Sequence, residues 1–283
     1  MNFRRLSAPV AALLAVGLAA ALIAIGCGGG NQTTDKKFAA ILGHQPTGIA
    51  AETAASGKLI IANDENYAPQ SFVDPKTHAV VGFDVDVGKR VCEILGVKPV
   101  FKQVVFETIA QGLKNGRFDV SIGSMPVTTE FARVVDFTHP YYYTPGQILI
   151  KSGGPAVATT RDLNGLKVGV GADTVFFDFL MKYAPRIKVV AYPTDTELRA
   201  ALAHGQIDAA MTDAISARQD VLANKSLQTS GTPLYFEPLA FAVEKNQPDL
   251  TALLNYAIDK MHQDGSLTTL SQRWYGGVDL TVK

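Results

Sequence analysis

Residues 166–224 read LKVGVGADTVFFDFLMKYAPRIKVVAYPTDTELRAALAHGQIDAAMTDAISARQDVLAN. Short apolar runs alternate here with longer runs in which apolar residues recur at helical spacing. This pattern predicts three strands, each followed by a helix. Strands that alternate with helices form mostly parallel sheets covered by helices on both faces, so the stretch predicts an α/β fold.

The same alternation occurs earlier in the chain. Residues 58–64 predict a buried strand, and residues 79–97 predict a strand and then a helix. Asp84 or Asp86 is expected to cap this helix, and Gly96 is expected to end it. Two more strands with a helix between them follow, and the chain closes with a strand and two helices.

Two sets of such units suggest two lobes, each built on a mixed, mostly parallel sheet. The segments RVVDFT and QILIK, around Pro140 and Pro145, are predicted as separate strands. Strands that pass between the lobes are expected to join them. The expected boundaries are 57–146 together with 234–283 for lobe 1, and 147–233 for lobe 2.

The N-terminus has the features of an export signal. Arg4 and Arg5 precede an apolar run from Ala8 to Ile25, which is followed by Gly26 and Cys27. The alternative is a transmembrane helix, because the run is nearly long enough to span a bilayer. A cysteine after a small residue resembles a bacterial lipobox, although the residue three positions earlier is an alanine rather than the usual leucine.

The resemblance implies a lipoprotein signal peptide over 1–26 and lipidation of Cys27. Residues 27–56, which are rich in glycine, threonine and alanine, are predicted as an anchor and linker that includes a short helix. The protein is therefore expected to be extracytoplasmic, held by its lipid on a periplasmic or outer membrane face.

Composition excludes several classes of function. The chain has 26 basic and 26 acidic side chains, which gives no electrostatic argument for nucleic acid. Its five histidines are scattered and form no metal-ligand pair, so neither a metal nor another cofactor is predicted. With Cys27 lipidated, Cys92 has no partner for a disulfide and is predicted to be a small buried apolar residue.

Polar and aromatic residues follow several of the predicted strands. Ligands in open α/β sheets bind at the carboxyl ends of the strands, so these residues are the candidates for a binding site. They are Asp64, Glu65 and Tyr67 after the first strand, then Phe106 with Glu107, Gly123-Ser124, Ala172-Asp173-Thr174 and Thr212-Asp213. Taken singly, each also has a structural explanation as a helix cap, a turn residue or part of the core. Together they indicate a small polar cleft with aromatic walls.

The order of motifs resembles the family of extracytoplasmic solute-binding proteins for polar amino acids, the receptors of ABC importers. The resemblance covers residues 57–277 and is carried by GKLIIANDENYAPQSF, VVGFDVDVGKRVCEILG, FETIAQGLKNGRFDVSIGSMPVTTE, VVDFTHPYY, LKVGVGADT, GQIDAAMTD and DGSLTTLSQRWYGG. It implies the two-lobed periplasmic-binding-protein fold of type II, closing on a ligand by hinge motion. It also implies a monomer that works with an ABC permease and its ATPase.

The resemblance implies roles for individual residues. Tyr67 and Phe106 match the aromatic walls, and Gly123 with Ser124 match a loop that contacts the ligand. Thr174 matches a contact to the ligand carboxylate at a helix N-terminus, and Asp213 matches the carboxylate that binds the α-ammonium.

Two residues depart from the family pattern. The family commonly reads TPERAKVVDF, in which the arginine binds the ligand's α-carboxylate, whereas residues 128–137 read TTEFARVVDF. Phe131 therefore stands at the arginine position. Arg133 lies two residues later, about 200° around a helix, and is not expected to reach the same point. Pro126 stands where the family has a serine or threonine, and proline has no backbone N–H to offer.

These departures lead to a hypothesis about the ligand. It is expected to be cationic or neutral, without an ordinary free α-carboxylate, and to bind in a box of Tyr67, Phe106 and Phe131. Asp213, with Asp64 or Glu65, would supply negative charge. The alternative is that Phe131 packs away from the cleft and that an amino acid binds in a different way.

Two other functions are compatible with the scaffold. The segment MTDAISAR resembles MTDAIEAR of cyclohexadienyl dehydratases, but Ser216 stands in place of their proton-donating glutamate, and a hydroxyl with no partnered base is a poor general acid. The protein is therefore not predicted to be an enzyme. A ligand-sensing subunit is the third possibility, and because the chain ends at Lys283 such a sensor is expected to act through a separate partner.

Overall fold

The computed structural model describes residues 31–64, 66–172 and 174–282. The helices are α1 Asn31–Leu42, α2 Gly48–Ser56, α3 Phe83–Leu95, α4 Ile109–Lys114, α5 Val175–Tyr183, α6 Asp195–Ala203, α7 Ala214–Ala223, α8 Pro248–Gln263 and α9 Ser266–Trp274. The strands are β1 Lys58–Asp64, β2 Asn66–Tyr67, β3 Ser71–Val73, β4 Val80–Val81, β5 Lys98–Val104, β6 Val120–Pro126, β7 Val135–Lys151, β8 Lys167–Gly171, β9 Lys188–Tyr192, β10 Ala209–Asp213 and β11 Leu227–Glu244. The predicted signal peptide, residues 1–26, lies outside the described residues, and so does the predicted lipidation site, Cys27.

Eight of the strands form one curled mixed sheet in the order β5-β1-β6-β11-β7-β10-β8-β9. Strands β5, β1 and β6 are parallel to one another and form the lobe 1 side, while β10, β8 and β9 form the parallel lobe 2 side. A small three-stranded sheet, β2-β3-β4, lies beside lobe 1. Parallel strands alternate with helices on each side, as the sequence predicts.

The two long antiparallel strands β7 and β11 run through both lobes and join the two halves of the sheet. The sequence predicts two strands around Pro140 and Pro145, but β7 is continuous through both prolines. It tolerates them because the ladder with β11 is irregular, with register shifts near Ala240 and between Ser230 and Tyr235. The second of these irregularities lies next to the predicted lobe boundary at 233/234.

Each lobe has its own core. Lobe 1 buries α3 against the sheet and α8 through Val87, Val91 and Leu95. Gly96 ends α3 in the left-handed conformation, with φ 77°, as predicted. The N-cap of α3 is Gly82 rather than an aspartate, because Asp84 lies inside the first turn and is completely buried.

Residues 31–56 fold as two helices against lobe 1. Helix α2 is the short helix expected within the linker, whereas α1 stands where an extended tether is expected. Phe38 on α1 is completely buried in the lobe 1 core. The backbone N–H and the hydroxyl of Thr47 both donate to Asp249 at the start of α8, over 2.8 and 2.7 Å. The small alanines of α2 allow it to pack closely, and Ala50 and Ala54 are completely buried.

Candidate functional site

A cavity of about 690 Å³ opens between the lobes, at the carboxyl ends of β1, β6 and β10. It lies above β7 and β11, the two strands that join the lobes, here called the hinge strands. Six of the residues predicted from the sequence line it: Asp64, Tyr67, Phe106, Ser124, Thr174 and Asp213. They come from segments far apart in the chain, and they meet because parallel strands present their carboxyl ends at one edge of a sheet. Glu65, the alternative source of charge beside Asp64, lies outside the described residues.

Two predicted site residues do not line the cavity. Gly123 is buried within β6, where an added Cβ would lie 3.2 Å from the Ser121 hydroxyl. Phe131 begins a short 3-10 helix and is half-buried behind Phe106. Their ring centroids are 5.9 Å apart and their planes lie at 88°, an edge-to-face pair. Phe131 therefore supports the cavity wall through Phe106. Of the three rings predicted to form an aromatic box, only Tyr67 and Phe106 line the cavity.

The same geometry explains why Phe131 turns inward. The lobe 1 face beneath it is an apolar cluster that includes Ile109, Leu113, Phe118 and Met125, and Phe131 packs on its edge. A phenyl ring is stabilised by leaving water for such a surface. Arg133, two residues later, is exposed and does not line the cavity.

The cavity wall is acidic. Among the described residues that line it, Asp64, Asp213 and Glu237 carry carboxylates and none is a lysine, arginine or histidine. Lys245 does not line the cavity, and its ammonium donates to Asp136 over 2.6 Å and to the carbonyls of Ala132 and Val135. The charge of this cavity favours a cation and opposes a free carboxylate.

Sequence reasoning did not identify Glu237. It lies on hinge strand β11, opposite Thr144 on β7, and both residues line the cavity. Burial raises the pKa of its carboxyl to about 7. The only local signal was an acidic residue before a proline at the edge of a predicted strand, which is also the pattern of an ordinary turn.

Tyr67 forms part of the lobe 1 wall of the cavity. Burial, and then the charges of Asp84, Glu237 and Asp213, raise the pKa of its hydroxyl to about 12. The phenol is therefore neutral at physiological pH, and its ring offers a face to a cation.

A buried hydrogen-bond network lies behind Ser124. The Tyr142 hydroxyl donates to Ser124 Oγ over 2.7 Å, and Ser124 Oγ donates to Asp84 Oδ2 over 2.7 Å. The Tyr141 hydroxyl donates to the other carboxylate oxygen over 2.5 Å. Burial raises the pKa of Asp84 to about 7, although the hydrogen bonds from the Tyr141 and Ser124 hydroxyls act to lower it.

The direction of this network determines what it can offer a ligand. With Asp84 ionised, the protons of Ser124 and Tyr142 both point inward, so these two cavity-lining oxygens present lone pairs to the ligand. Such a surface accepts hydrogen bonds from an ammonium or amide N–H. It has no proton to donate to a ligand carboxylate.

Asp213 and Thr174 are helix caps and cavity residues at once. Asp213 Oδ1 accepts from the backbone N–H groups of Ile215 and Ser216, which leaves Oδ2 without a partner in the described part of the chain. Thr174 Oγ1 accepts from Phe177 N–H and donates to the Gly171 carbonyl, so its hydroxyl proton is already used. Asp213 keeps capacity for a cation, whereas the Thr174 side chain has no donor left for an anion.

Other kinds of site find no support in residues 31–64, 66–172 and 174–282. No cluster of three or more histidine, cysteine, aspartate or glutamate side chains is arranged to hold a metal ion there. Burial raises the pKa of the Cys92 thiol to about 12, which makes it an inert apolar residue. The same residues contain no helix that is both long and apolar enough for a membrane span.

Comparison with known proteins gives consistent matches. The sequence profile of the bacterial extracellular solute-binding proteins, family 3, matches residues 59–277. The chain is 29% identical over 231 residues to the L-cystine-binding protein of Escherichia coli (strain K12), covering 81% of this chain and 86% of that protein. It is also 29% identical to the L-arginine-binding protein of Pseudomonas aeruginosa, covering 78% of this chain and 89% of that protein.

Solved structures match over similar lengths. An ancestral cationic amino acid solute-binding protein is 30% identical with a TM-score of 0.62, covering 79% of this chain and 98% of that one. An ancestral arginine-binding protein bound to arginine is 31% identical with a TM-score of 0.55, covering 78% and 99%. An ancestral cyclohexadienyl dehydratase, 24% identical with a TM-score of 0.62 over 83% and 99%, shares the fold. These neighbours confirm the predicted two-lobed α/β fold of type II.

Proposed function

The chain belongs to the bacterial extracellular solute-binding proteins of family 3, whose curated relatives are amino-acid receptors of ABC transporters, and we propose that it captures a small cationic metabolite for an ABC importer. The ligand binds between the lobes and offers an ammonium or guanidinium group without a free carboxylate beside it. The permease and its ATPase receive the loaded receptor.

The observation that carries the proposal is the charge of the cavity. Three carboxylates and no basic side chain line it among the described residues, and the Ser124–Tyr142 pair presents acceptors. A carboxylate transferred into such a site loses its hydration without gaining a cationic partner, which costs on the order of several kcal/mol. An ammonium finds the opposite situation, with Asp213 Oδ2 and two aromatic walls available.

A competing arrangement keeps an amino acid as the ligand. The backbone N–H groups at the start of α5, where Val175 and Phe176 also line the cavity, would then bind its carboxylate. The names of the relatives, which bind cystine and arginine, favour this arrangement. The two arrangements differ in whether the ligand's carboxylate strengthens or weakens binding. Pairs of ligands that differ only in this carboxylate therefore distinguish them.

Titration calorimetry with two matched pairs tests the proposal. L-lysine is compared with cadaverine, and L-arginine with agmatine, because each amine is the amino acid without its carboxylate. We expect each amine to bind at least about tenfold more tightly than its amino acid, since the carboxylate gains no charged partner. Tighter binding of the amino acids would reject the proposal in favour of the arrangement at α5.

The proposal also includes a lipid anchor on Cys27 and a monomeric receptor. The first described residue, Asn31, is four positions further and already belongs to α1, so the anchor would reach at most about 14 Å. Lobe 1 would then lie close to the membrane surface. Mass spectrometry of the mature N-terminus and release of Cys27→Ala from the membrane fraction test the anchor, and light scattering tests the monomer.

Transport rather than catalysis is proposed because Ser216 stands at the position of the dehydratase glutamate, and a hydroxyl is a poor general acid. Ser216 lines the cavity, and its backbone N–H caps onto Asp213. The curated relatives carry the names of binding proteins, and the dehydratase neighbour shows the fold alone. Turnover of prephenate or arogenate by the purified protein would contradict this part of the proposal.

A further inference from the structure

Glu237 and Asp213 lie on the same face of the sheet, on opposite sides of hinge strand β7. Asp213 pairs with Gly146 of β7, Gly146 pairs with Tyr235 of β11, and Glu237 lies two residues beyond Tyr235. Residues directly opposite one another, and residues two apart along a strand, share a face. Both carboxylates therefore point into the cavity that they line.

The sheet fixes the spacing between these two residues. Two strand spacings of about 4.8 Å and two residues of about 3.4 Å each place their Cα atoms about 12 Å apart. Tyr67 and Phe106, in contrast, come from lobe 1 and approach the ligand from the other side of the cleft.

Glu237 has no structural partner that explains its position. No hydrogen bond or ion pair joins its carboxylate to any residue within 31–64, 66–172 and 174–282. It is not a helix cap, and it lies in the middle of a strand, where acidic residues are disfavoured. A partly buried carboxylate without a partner destabilises the protein, so its place in the cavity wall calls for a ligand cation.

We propose, on the basis of the cationic ligand proposed above, that Glu237 binds a second cationic group and that the ligand is a dication. One cationic centre pairs with Asp213 Oδ2 and the other with Glu237, joined by a short aliphatic chain. Thr144 and Gly146 of β7 lie directly opposite the two acids on this face. Met211 and Phe176 fill the space above Gly146, since a Cβ there would lie 2.5 and 2.9 Å from their nearest carbons, so the chain crosses over Phe176, which lines the cavity. The substrate class is thus a linear diamine or an amine that carries a guanidinium group.

The experiment measures how the second ammonium of a ligand depends on Glu237. Cadaverine and n-pentylamine, which differ by one amino group, are titrated by calorimetry into the full-length protein in detergent. The variant is Glu237→Gln, and the matched control is Glu244→Gln, on the same strand but away from the cavity. We expect the wild type to prefer cadaverine by at least about tenfold, the size of a charge-assisted hydrogen bond.

Glu237→Gln is expected to abolish that preference while changing n-pentylamine affinity by less than about twofold, and Glu244→Gln is expected to change neither. Equal loss for both amines, or no loss for cadaverine, would overturn the role of Glu237 and leave the cationic site standing. If amino acids bind and amines do not, the proposed function has failed, and L-lysine and L-norleucine replace the amines. Selective loss of L-lysine affinity in Glu237→Gln then supports the role of Glu237. A variant without that selective loss overturns the role. Failure of every cation to bind overturns it as well.

Discussion

Phe131 lies edge-on behind Phe106, with ring centroids 5.9 Å apart and planes at 88°. Phe106 lines the cavity and Phe131 does not. At the position where the family resemblance leads us to expect a carboxylate-binding arginine, this protein has a ring that supports a cavity wall from behind. Phe131 therefore acts by packing against Phe106 rather than by lining the cavity.

This relationship predicts that Phe131 is a stability residue. Phe131→Ala removes a half-buried ring from the apolar cluster on lobe 1, and we expect the free energy of unfolding to fall by about 2 kcal/mol, below the range for fully buried phenylalanines. Urea denaturation measures the change, with Phe131→Leu as the milder control. Unchanged stability together with lost ligand binding would show instead that the ring faces the cavity.

Phe38 tests whether the N-terminal helices are part of the fold. The side chain is completely buried in the lobe 1 core, so Phe38→Ala is expected to lower the free energy of unfolding by about 3–5 kcal/mol. Lys36→Ala, at an exposed position of the same helix, is the control and is expected to be neutral. Thermal and urea denaturation measure both, and a neutral Phe38→Ala would mean that α1 is only loosely attached.

Asp84 makes the stability of the unliganded protein depend on pH. Its folded pKa of about 7 lies above the value of about 3.9 in an unfolded chain, so the folded state holds the proton more tightly. The stabilisation is present at acid pH and is lost as the pH rises from about 4 through 7. Asp84→Asn keeps the shape without the titration, and we expect a smaller difference in unfolding free energy between about pH 5 and about pH 8. An identical pH profile in the variant would contradict the assignment.

Glu237 makes cation affinity depend on pH in the opposite sense. Burial raises its pKa to about 7, so below that pH a proton competes with the ligand for the carboxylate. Affinity for cadaverine is expected to rise with pH through 7, by at most about tenfold per pH unit from this group. Asp64, Asp213 and Tyr67 face the same space, and Asp84 lies behind Ser124. Calorimetry across this range with Glu237→Gln should give a flatter profile, and a slope equal to that of the wild type would assign the titration to Asp84.

Local sequence was sufficient for much of the site. Thr174 and Asp213 were predicted from strand ends that run into helices, and the structure shows that each caps a helix and lines the cavity. Capping a helix and lining the cavity are compatible, since a cap at the carboxyl end of a parallel strand already points toward the cleft. Tyr67, Phe106 and Ser124 were predicted for the same reason.

By itself the sequence determined the alternation of strands and helices and the two-lobed α/β class, because apolar periodicity and motif order are local properties of the chain. Only the tertiary structure decided that Phe131 turns toward the lobe 1 core, that residues 31–56 pack as helices, and that Glu237 joins the cavity. Each of these depends on partners far away in the sequence. Glu237 reaches the site through the pairing of β11 with β7, and nothing in its own neighbourhood encodes which strand lies opposite.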